Sequence, residues 1–350
     1  MRIAQIAPLT ESVPPRLYGG TERVVSFLTE ELVAMGHDVT LFASGDSQTS
    51  ARLVSAWPTA LRFDPNLRDA IAPHMAMLEQ VCLRAHEFDI LHCHLDYWPF
   101  SLFSRLETPF INTLHGRLDL PELQSVYDNF PDVPLVSISD AQREPLPQAN
   151  FVATVHHGLP LDLLTPQAVQ PSYLAFLGRI CPEKRADRAI RIAREAGIPL
   201  KIAAKVDRVD EAYFREVIAP MIDGTSVQLI GEIDDRTKPG FLSGAVGLLV
   251  PIDWPEPFGL VMIEAMACGT PVIAFERGSV PEIVEHGASG FVVDNEADAV
   301  AAVARLPKLS RRAVRRCFEQ RFSAGRMARD YLALYRHLAA PARPALRVVT

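Results

Sequence analysis

Short apolar runs alternate with segments of helical periodicity along almost the whole chain. In α/β proteins such runs form buried parallel strands, and a helix carries the chain from each strand to the next. The series begins at Ile3, is interrupted by a Pro-rich stretch at residues 159–171, and starts again at Tyr173. The pattern therefore predicts two α/β domains, each with a parallel sheet. The predicted strands are residues 3–7, 39–43, 89–94, 109–115, 135–140, 152–157, 173–177, 200–206, 227–230, 246–252, 271–275 and 290–293.

Three segments outside these strands carry specific predictions. Residues 53–87 predict a loop followed by a long helix, and residues 210–222 predict a further helix. A final helix is expected at residues 324–338, where Tyr331 and Tyr335 fall on one apolar face. Beyond it, the Pro- and Ala-rich residues 341–350 predict a loose tail.

Length, charge and cysteine content bound the class of protein. A chain of 350 residues is long enough for about two domains. The net charge of −7 gives no support for a nucleic acid partner, which would require a basic surface. The five cysteines are scattered, odd in number and without a C-x-x-C pair, so they predict reduced thiols rather than disulfides or a zinc site.

The sequence predicts a cytoplasmic protein. Its N-terminus enters a strand at once and lacks the charged-then-apolar layout of a signal peptide. No stretch of about 18 uncharged apolar residues is present that would predict a membrane-spanning helix. Contact with the inner face of the membrane stays open, because a lipid-linked acceptor requires only an amphipathic surface.

The stretch from Glu256 to Pro271 reads E-P-F-G-L-V-M-I-E-A-M-A-C-G-T-P and follows a predicted strand. A helix that starts at Gly259 directs unpaired N–H groups and a positive dipole end outward, which favours phosphate. Glu256 and Glu264 would repel phosphate but are suitable acceptors for hydroxyl groups. The pattern therefore favours a ligand that carries both phosphates and hydroxyls, and we interpret this ligand as a nucleotide sugar. The alternative is that both glutamates are solvated surface residues, as most glutamates are.

Other strand ends supply further candidates. Arg179 and Lys184 lie around a turn after a predicted strand and could clamp a diphosphate, or could be ordinary solvated charges. His94 and Asp96 follow another strand, and ligands of open α/β sheets lie beyond the carboxyl ends of strands. These two are candidates for the acceptor side, although a histidine at a strand end often has a structural role instead.

The E-x7-E spacing with E-A-M-A-C-G-T-P-V resembles the retaining glycosyltransferases of family 4, and the resemblance extends over almost the whole chain. It implies the GT-B fold: two Rossmann-like, doubly wound domains that face each other across a cleft, with a C-terminal helix that crosses back to the first domain. The implied divisions are residues 1–165 for an acceptor-binding domain, 166–323 for a nucleotide-sugar donor domain, 324–340 for the returning helix and 341–350 for the tail.

The resemblance also implies roles for individual residues. The implied donor-binding residues are Gly19, Gly20, Arg179, Lys184, Gly231, Glu256, Phe258, Gly259, Leu260, Val261 and Glu264, and the implied catalytic residues are His115, Glu256, Arg179 and Lys184. In the family a histidine in the place of His115 projects toward the transferred sugar. The chain departs from the family at Arg185, where a glycine is common, and at His157-Gly158, which replaces an Asn-Gly-type turn.

The function expected from the resemblance is retaining, metal-independent transfer of a hexose from a nucleoside diphosphate sugar to a hydroxyl acceptor. A UDP-sugar is the first choice, with GDP- and ADP-sugars as alternatives, and no cofactor is expected beyond this co-substrate. Alternative functions on the same fold are a sugar-nucleotide epimerase, a glycosyl phosphorylase or a non-catalytic sugar-nucleotide-binding protein. The acceptor, the linkage and the oligomeric state stay open.

Overall fold

The computed structural model describes residues 1–16 and 19–340 and contains two parallel β-sheets with helices. This confirms the α/β class predicted from the alternating pattern. The predicted tail at residues 341–350 lies outside the described residues.

The first sheet has the strand order β3-β2-β1-β4-β5-β6-β7. Its ladders are parallel, and β1 is central, with Ile3 opposite both Val39 and Ile90. The chain runs outward from β1 in one direction through β2 and β3, then returns to the other side for β4 to β7. The strands are β1 Arg2–Ile6, β2 Asp38–Ser44, β3 Arg52–Trp57, β4 Ile90–Cys93, β5 Phe110–Thr113, β6 Leu135–Ser137 and β7 Phe151–Thr154.

The second sheet repeats the same doubly wound arrangement in the order β10-β9-β8-β11-β12-β13. Its described ladders are parallel, and β8 and β11 meet at its centre. The strands are β8 Tyr173–Arg179, β9 Leu200–Lys205, β10 Val227–Gly231, β11 Ala245–Val250, β12 Val272–Phe275 and β13 Gly290–Val293.

Helices follow most of the strands, as a parallel sheet requires. In the second sheet one apolar core joins β8, β9 and β12 to the helices that flank them. The helices are α1 Gly20–Ala34, α2 Ile71–Arg84, α3 Phe100–Phe103, α4 Pro121–Asn129, α5 Asp140–Arg143, α6 Ala186–Ala196, α7 Glu211–Tyr213, α8 Lys238–Ser243, α9 Leu260–Ala267, α10 Val280–Ile283, α11 Glu296–Val303, α12 Arg311–Arg321 and α13 Ala324–Leu338.

The described chain divides into two compact units. The first unit contains residues 1–114, residues 130–136 and the chain from Met327, and the second contains His115–Asn129 and Ser137–Arg326. Residues 137–165, which the sequence assigns to the first domain, thus group with the second unit. One reason is that the Glu282 carboxylate accepts hydrogen bonds from the backbone N–H groups of Asp140 and Ala141.

Helix α13 has the bounds that the sequence predicts. Its apolar face packs within the first unit, where Tyr331 and Tyr335 are buried and hydrogen-bonded to residues of the first sheet. The chain therefore returns to the first unit after building the second, as expected for the C-terminal helix of this fold.

Two sequence predictions were wrong. Residues 52–57 form strand β3 rather than a loop, and this strand pairs with β2 at the edge of the first sheet. It is only partly buried and mixes polar with apolar residues, so it gives no continuous apolar run. The helix predicted at residues 210–222 is instead a succession of short 3₁₀, α and π turns, and Pro220 within it lacks the N–H that an α-helix requires.

Candidate active site

The start of helix α9 has a special backbone geometry. Gly259 is its N-cap residue and adopts the left-handed region, with φ 80°, which a residue without a Cβ reaches most easily. A Cβ at this position would also lie 2.6 Å from Cε of Met262. From Met262 to Ala267 the helix is buried, whereas Leu260 and Val261 are half-buried. The accessible part of α9 is therefore its first turn, whose N–H groups have no partner within the helix.

A second backbone segment holds the loop before α9 in place. The Ser279 N–H donates to the carbonyl of Glu256 at 2.9 Å, and the Ser279 hydroxyl donates to the carbonyl of Phe258 at 2.8 Å. This close approach requires Gly278, because a Cβ there would lie 2.5 Å from backbone atoms of Glu256. The loop is consequently held at Glu256 and at Phe258, directly before α9.

The Glu256 carboxylate is buried and paired. Its Oε2 atom accepts from the Lys184 ammonium group and from the Trp254 indole Nε1, the latter at 2.9 Å. The Lys184 Nζ also lies 5.0 Å from the centroid of the Trp254 ring, within cation–π range. The structure thus brings together Glu256 and Lys184, which the sequence placed in one site.

Glu264 is also paired with a lysine, at greater depth. Its Oε1 accepts from Lys238 Nζ at 2.9 Å, and the same ammonium group lies 3.2 Å from the Asp235 carboxylate. Glu264 is 2% exposed and Lys238 is 9% exposed. Removing one member of such a pair leaves an uncompensated charge in a low-dielectric region, which is strongly destabilising. Both glutamates of the E-x7-E motif therefore have an ammonium partner.

Arg179, at the end of β8, faces carboxylates. Its guanidinium nitrogens lie 3.6 Å from Asp207 Oδ2 and 3.7 Å from Asp210 Oδ2. These distances exceed those of good hydrogen bonds, so the ion pairs are loose. Arg179 ends β8 and Lys184 lies on the loop that follows, both with carboxylate neighbours, and a bound diphosphate would compete with those carboxylates.

The conformation and ion pairs of Arg185 show how the chain accommodates an arginine where a glycine is common in the family. It adopts the left-handed conformation with φ 53° directly before α6, which is the backbone shape that a glycine reaches without strain. Its guanidinium is anchored by Asp187 and Asp253 at 2.9 and 3.0 Å. Although burial opposes ionisation of Asp187, the Arg185 and Arg191 guanidinium groups lower its pKa to about 2. Charge pairing thus holds a conformation that glycine would adopt freely.

His115 stacks on His157, with ring centroids 5.3 Å apart and an interplanar angle of 18°. The His157 ring in turn packs against Phe258 in an edge-to-face arrangement, with ring centroids 4.8 Å apart. His115 is half-buried, and desolvation of the enclosed part of its ring lowers its pKa to about 3. Desolvation, with further opposition from His115, Arg326 and His156, also holds the pKa of His157 well below its ordinary value. Both imidazoles are therefore neutral near pH 7.

Gly231 ends the edge strand β10 with φ 88°, after an irregularity in the β9–β10 register. Any contact that this position makes with a base would come from the backbone. The predicted role of Gly231 in donor binding therefore stays a prediction.

The remaining predicted residues belong to the first unit. Gly19 is the N-cap of α1 and Gly20 its first residue, where a Cβ on Gly19 would lie 2.8 Å from Pro15 Cβ. Asp96 is exposed and has a positive φ of 47°.

His94 occupies a different environment from that predicted. It is buried, its Nε2 donates to the Gln5 side-chain carbonyl at 2.9 Å, and its ring lies 4.1 Å from that of His92. His92 contacts Tyr335 Oη at 2.6 Å and Thr113 Oγ1 at 2.7 Å. This burial and bonding favour the structural alternative for His94 over contact with an acceptor.

Several site residues were missed by sequence reasoning. Trp254 could have been noticed, because it lies two residues before Glu256, the predicted donor-binding glutamate. Lys238 gives no local signal, since its partner Glu264 is 26 residues away. Glu282 likewise becomes notable only when the fold brings it within 3.0 Å of His156 Nε2.

Residues 1–16 and 19–340 contain no group of three or more His, Cys, Asp or Glu side chains arranged to hold a metal ion. In the same part of the chain no helix combines the length and apolar character needed to cross a bilayer.

Comparison with solved structures supports the same fold. Sucrose-phosphate synthase from Thermosynechococcus elongatus superposes with a TM-score of 0.79 and 21% identity, covering 97% of this chain and 100% of that one. AviGT4, a glycosyltransferase involved in avilamycin A biosynthesis, has a TM-score of 0.74 and 24% identity over 97% of this chain and 98% of its own. HepE from Anabaena, solved with UDP and glucose, has a TM-score of 0.69 and 16% identity over 95% and 99%.

Sequence comparisons identify the family. The D-inositol 3-phosphate glycosyltransferase of Mycolicibacterium smegmatis is 27% identical over 79% of this chain and 75% of its own. The phosphatidyl-myo-inositol mannosyltransferase of Mycobacterium leprae is 26% identical over 87% of each chain. Residues 18–134 match the model of Glycosyltransferase Family 4, and residues 166–320 match that of Glycosyl transferases group 1. The chain is an α/β enzyme of the GT-B type and belongs to the family 4 glycosyltransferases.

Proposed function

We propose that this glycosyltransferase moves a hexose from a nucleoside diphosphate sugar to a hydroxyl acceptor, with retention of anomeric configuration and without a divalent metal. One observation carries the proposal. Glu256 and Glu264, each paired with a lysine, flank the accessible first turn of α9. That arrangement offers carboxylates for hydroxyl groups beside backbone N–H groups for phosphate.

The leaving nucleoside diphosphate needs positive charge as its bond to the sugar breaks. In the proposal Arg179, Lys184 and the N–H groups of Gly259, Leu260 and Val261 supply it. Preorganised donors and cations of this kind give the largest electrostatic contribution to catalysis when they face the charge that develops in the transition state.

The two glutamates have separate proposed roles. Glu264 is buried and accepts from the ribose hydroxyls, while Glu256 accepts from sugar hydroxyls or faces the positive charge that develops at the anomeric carbon. His115 is neutral because its pKa is lowered to about 3. A neutral imidazole can donate one hydrogen bond to a sugar hydroxyl without repelling the developing positive charge.

The choice of donors and acceptors to test follows from the relatives. UDP-glucose comes first because a structure with the same fold was solved with UDP and glucose. GDP- and ADP-sugars complete the donor panel. Inositol phosphate and phosphatidylinositol come first among acceptors because relatives are named for these compounds.

A thermal-shift screen tests the binding step. UDP-, GDP- and ADP-sugars are compared at equal concentration. A donor whose concentration is 100 times its dissociation constant should stabilise the protein by about 2.7 kcal/mol. Glu264→Gln should weaken the response to the preferred donor. Glu285→Gln is the matched control, because Glu285 is exposed.

The transfer step is tested with the best donor and the acceptor panel. Release of nucleoside diphosphate should depend on acceptor and persist in EDTA, and NMR of the product should show the donor's anomeric configuration. A protein that binds donor but releases no diphosphate with any acceptor would contradict transfer. An inverted product or a rate abolished by EDTA would contradict retention or metal independence respectively.

A further inference from the structure

Trp254 contacts both charged groups of the Glu256 site. Its indole Nε1 donates to Glu256 Oε2 at 2.9 Å, and the Lys184 ammonium group that bonds the same oxygen lies 5.0 Å from its ring centroid. Trp254 is half-buried, so it is not a residue that simply fills the apolar core. One side chain thus sets the positions of an anion and a cation simultaneously.

A second cation lies near the same ring. The Arg117 guanidinium carbon is 6.0 Å from the Trp254 centroid, at the limit of cation–π contact. Arg117 is itself oriented by a two-point contact with Asp119, at 2.7 and 2.8 Å. Because Arg117 follows His115 closely in the chain, Trp254 connects the loop that carries His115 to the loops that carry Lys184 and Glu256. All of these residues belong to the second unit.

The hydrogen bond from the Trp254 indole to Glu256 orients the Glu256 carboxylate. Within the described residues, the hydrogen bonds of the Glu256 carboxylate go to Oε2, from Trp254 and Lys184. Two donors on one oxygen fix the rotation of the carboxylate and direct Oε1 elsewhere. Without the indole N–H, the flexible Lys184 side chain alone would orient the group.

The geometry points to Trp254 as a positioning residue of the donor site: it orients Glu256 and Lys184 so that Glu256 Oε1 accepts from the transferred sugar. This inference rests on the proposed function. The indole N–H acts through Glu256, whereas the ring faces Lys184. Loss of the N–H alone, with an aromatic ring kept beside Lys184, should therefore affect transfer of the sugar and leave recognition of the nucleoside diphosphate unchanged.

Trp254→Phe tests the inference because it keeps an aromatic ring beside Lys184 and removes only the N–H donor. The rate of UDP release from UDP-glucose should fall about tenfold, the equivalent of one charge-assisted hydrogen bond. The dissociation constant of UDP alone should change less than twofold. Trp57→Phe is the matched control: Trp57 also donates its indole N–H to a carboxylate, Asp64 at 3.1 Å, but lies in the first unit.

A double-mutant cycle separates positioning from general support of the fold. If Trp254 acts through Glu256, Trp254→Phe should have no further effect on the rate in a Glu256→Gln background. Additive effects would contradict the inference. A wild-type rate in Trp254→Phe would also overturn it, and so would a parallel loss of UDP binding and thermal stability.

A spectroscopic measurement distinguishes failure of this inference from failure of the proposed function. The chain has three tryptophans, so the indole N–H signal of Trp254 in a ¹⁵N-labelled sample is identified by its loss in Trp254→Phe. Glu256→Gln should shift that signal without any ligand, and an unchanged signal would refute the positioning contact. A wild-type protein that binds no nucleoside diphosphate sugar would instead refute the proposed function, and the sugar-directed role of Trp254 with it.

Discussion

The two sheets share a doubly wound topology, but the polar residues at and near their strand ends have different partners and different solvent exposure. In the first unit, His92 and His94 form a buried hydrogen-bonded network with Gln5, Thr113 and Tyr335. In the second unit, the corresponding edge carries charged residues, among them Arg179, Lys184 and Glu256, paired with one another or with nearby carboxylates.

The difference lies in what each network leaves available to a ligand. A network whose polar members bond to one another can be fully buried, and exchanging its partners for a ligand would sacrifice good hydrogen bonds. Loosely paired charges that keep some solvent exposure, such as Arg179, can exchange a carboxylate for a phosphate at lower cost. We therefore expect a ligand site at the carboxyl end of a strand only where the local polar groups are not already saturated by hydrogen bonds to one another.

Removing a cation from the second sheet should give the largest effect. Arg179→Ala or Lys184→Ala should lower the transfer rate by about 10²- to 10³-fold, because each removes a charge contact to the leaving diphosphate. The rate is measured as nucleoside diphosphate released from the donor.

The matched controls are Arg316→Ala and Lys308→Ala, whose side chains are exposed. Both should keep the wild-type rate. Normal turnover in the Arg179 and Lys184 variants would show that these cations do not bind the leaving diphosphate. It would also contradict the functional contrast between the two sheets.

The buried pair of Lys238 and Glu264 should have the next largest effect, on stability. Lys238→Met should lower the free energy of unfolding by about 3 kcal/mol, because it leaves the Glu264 carboxylate buried without its partner. Urea unfolding measures this change, with Lys308→Met as the control. A second substitution, Glu264→Leu, should restore much of the loss, and its failure to do so would indicate that packing rather than charge holds this part of the second unit.

In the first sheet, Tyr335→Phe should affect stability and not the rate. The hydroxyl bonds His92 at 2.6 Å and accepts from Gln5 at 3.1 Å, so its removal should cost about 2 kcal/mol of unfolding free energy. The same urea experiment measures this, with Tyr97→Phe as a control at an exposed tyrosine. A large loss of turnover at unchanged stability would show that the network takes part in catalysis after all.

The smallest expected effect is a change in the pH dependence of stability. The pKa of the buried His157 is held well below its ordinary value, so the folded state keeps it neutral while the unfolded state takes up a proton below about pH 6.5. Its contribution to stability is thus present above that pH and is lost as the pH falls. Wild-type stability should drop by about 1 kcal/mol from this residue between pH 7.5 and 5.5.

His157→Asn, which restores the family's Asn-Gly pattern, should make that pH dependence shallower. Thermal unfolding at the two pH values gives the comparison, and His337→Asn in the last turn of α13 serves as the control. An equal pH slope in His157→Asn and wild type would mean that His157 titrates normally in the folded protein.

Most strands were predictable because buried parallel strands are short, continuous apolar runs. Helix α13 was predictable because Met327, Tyr331 and Tyr335 repeat at helical spacing and face one core. Strand β3 was not, since an edge strand that is half-exposed carries a mixed pattern. The broken segment after Arg208 was missed because its composition suits a helix while Pro220 and its packing do not.

For the site, the E-x7-E motif was readable because its spacing is local: a loop, a turn at Gly259 and one helix fix where both carboxylates lie. The pairing of these carboxylates was not readable, since Lys184 lies 72 residues from Glu256 along the chain. The burial of His94 was equally invisible, because it depends on Gln5, which lies 89 residues away.

The sequence by itself determined the α/β class, the family and the identity of the residues that could bind a nucleotide sugar, because periodicity and motif spacing are properties of neighbouring residues. Only the tertiary structure decided which of those residues are exposed, which are enclosed and hydrogen-bonded to other side chains, and that Arg185 replaces a glycine by means of two ion pairs. The physical reason is that desolvation and hydrogen-bond partners depend on contacts between distant segments, and these exist only once the chain has folded.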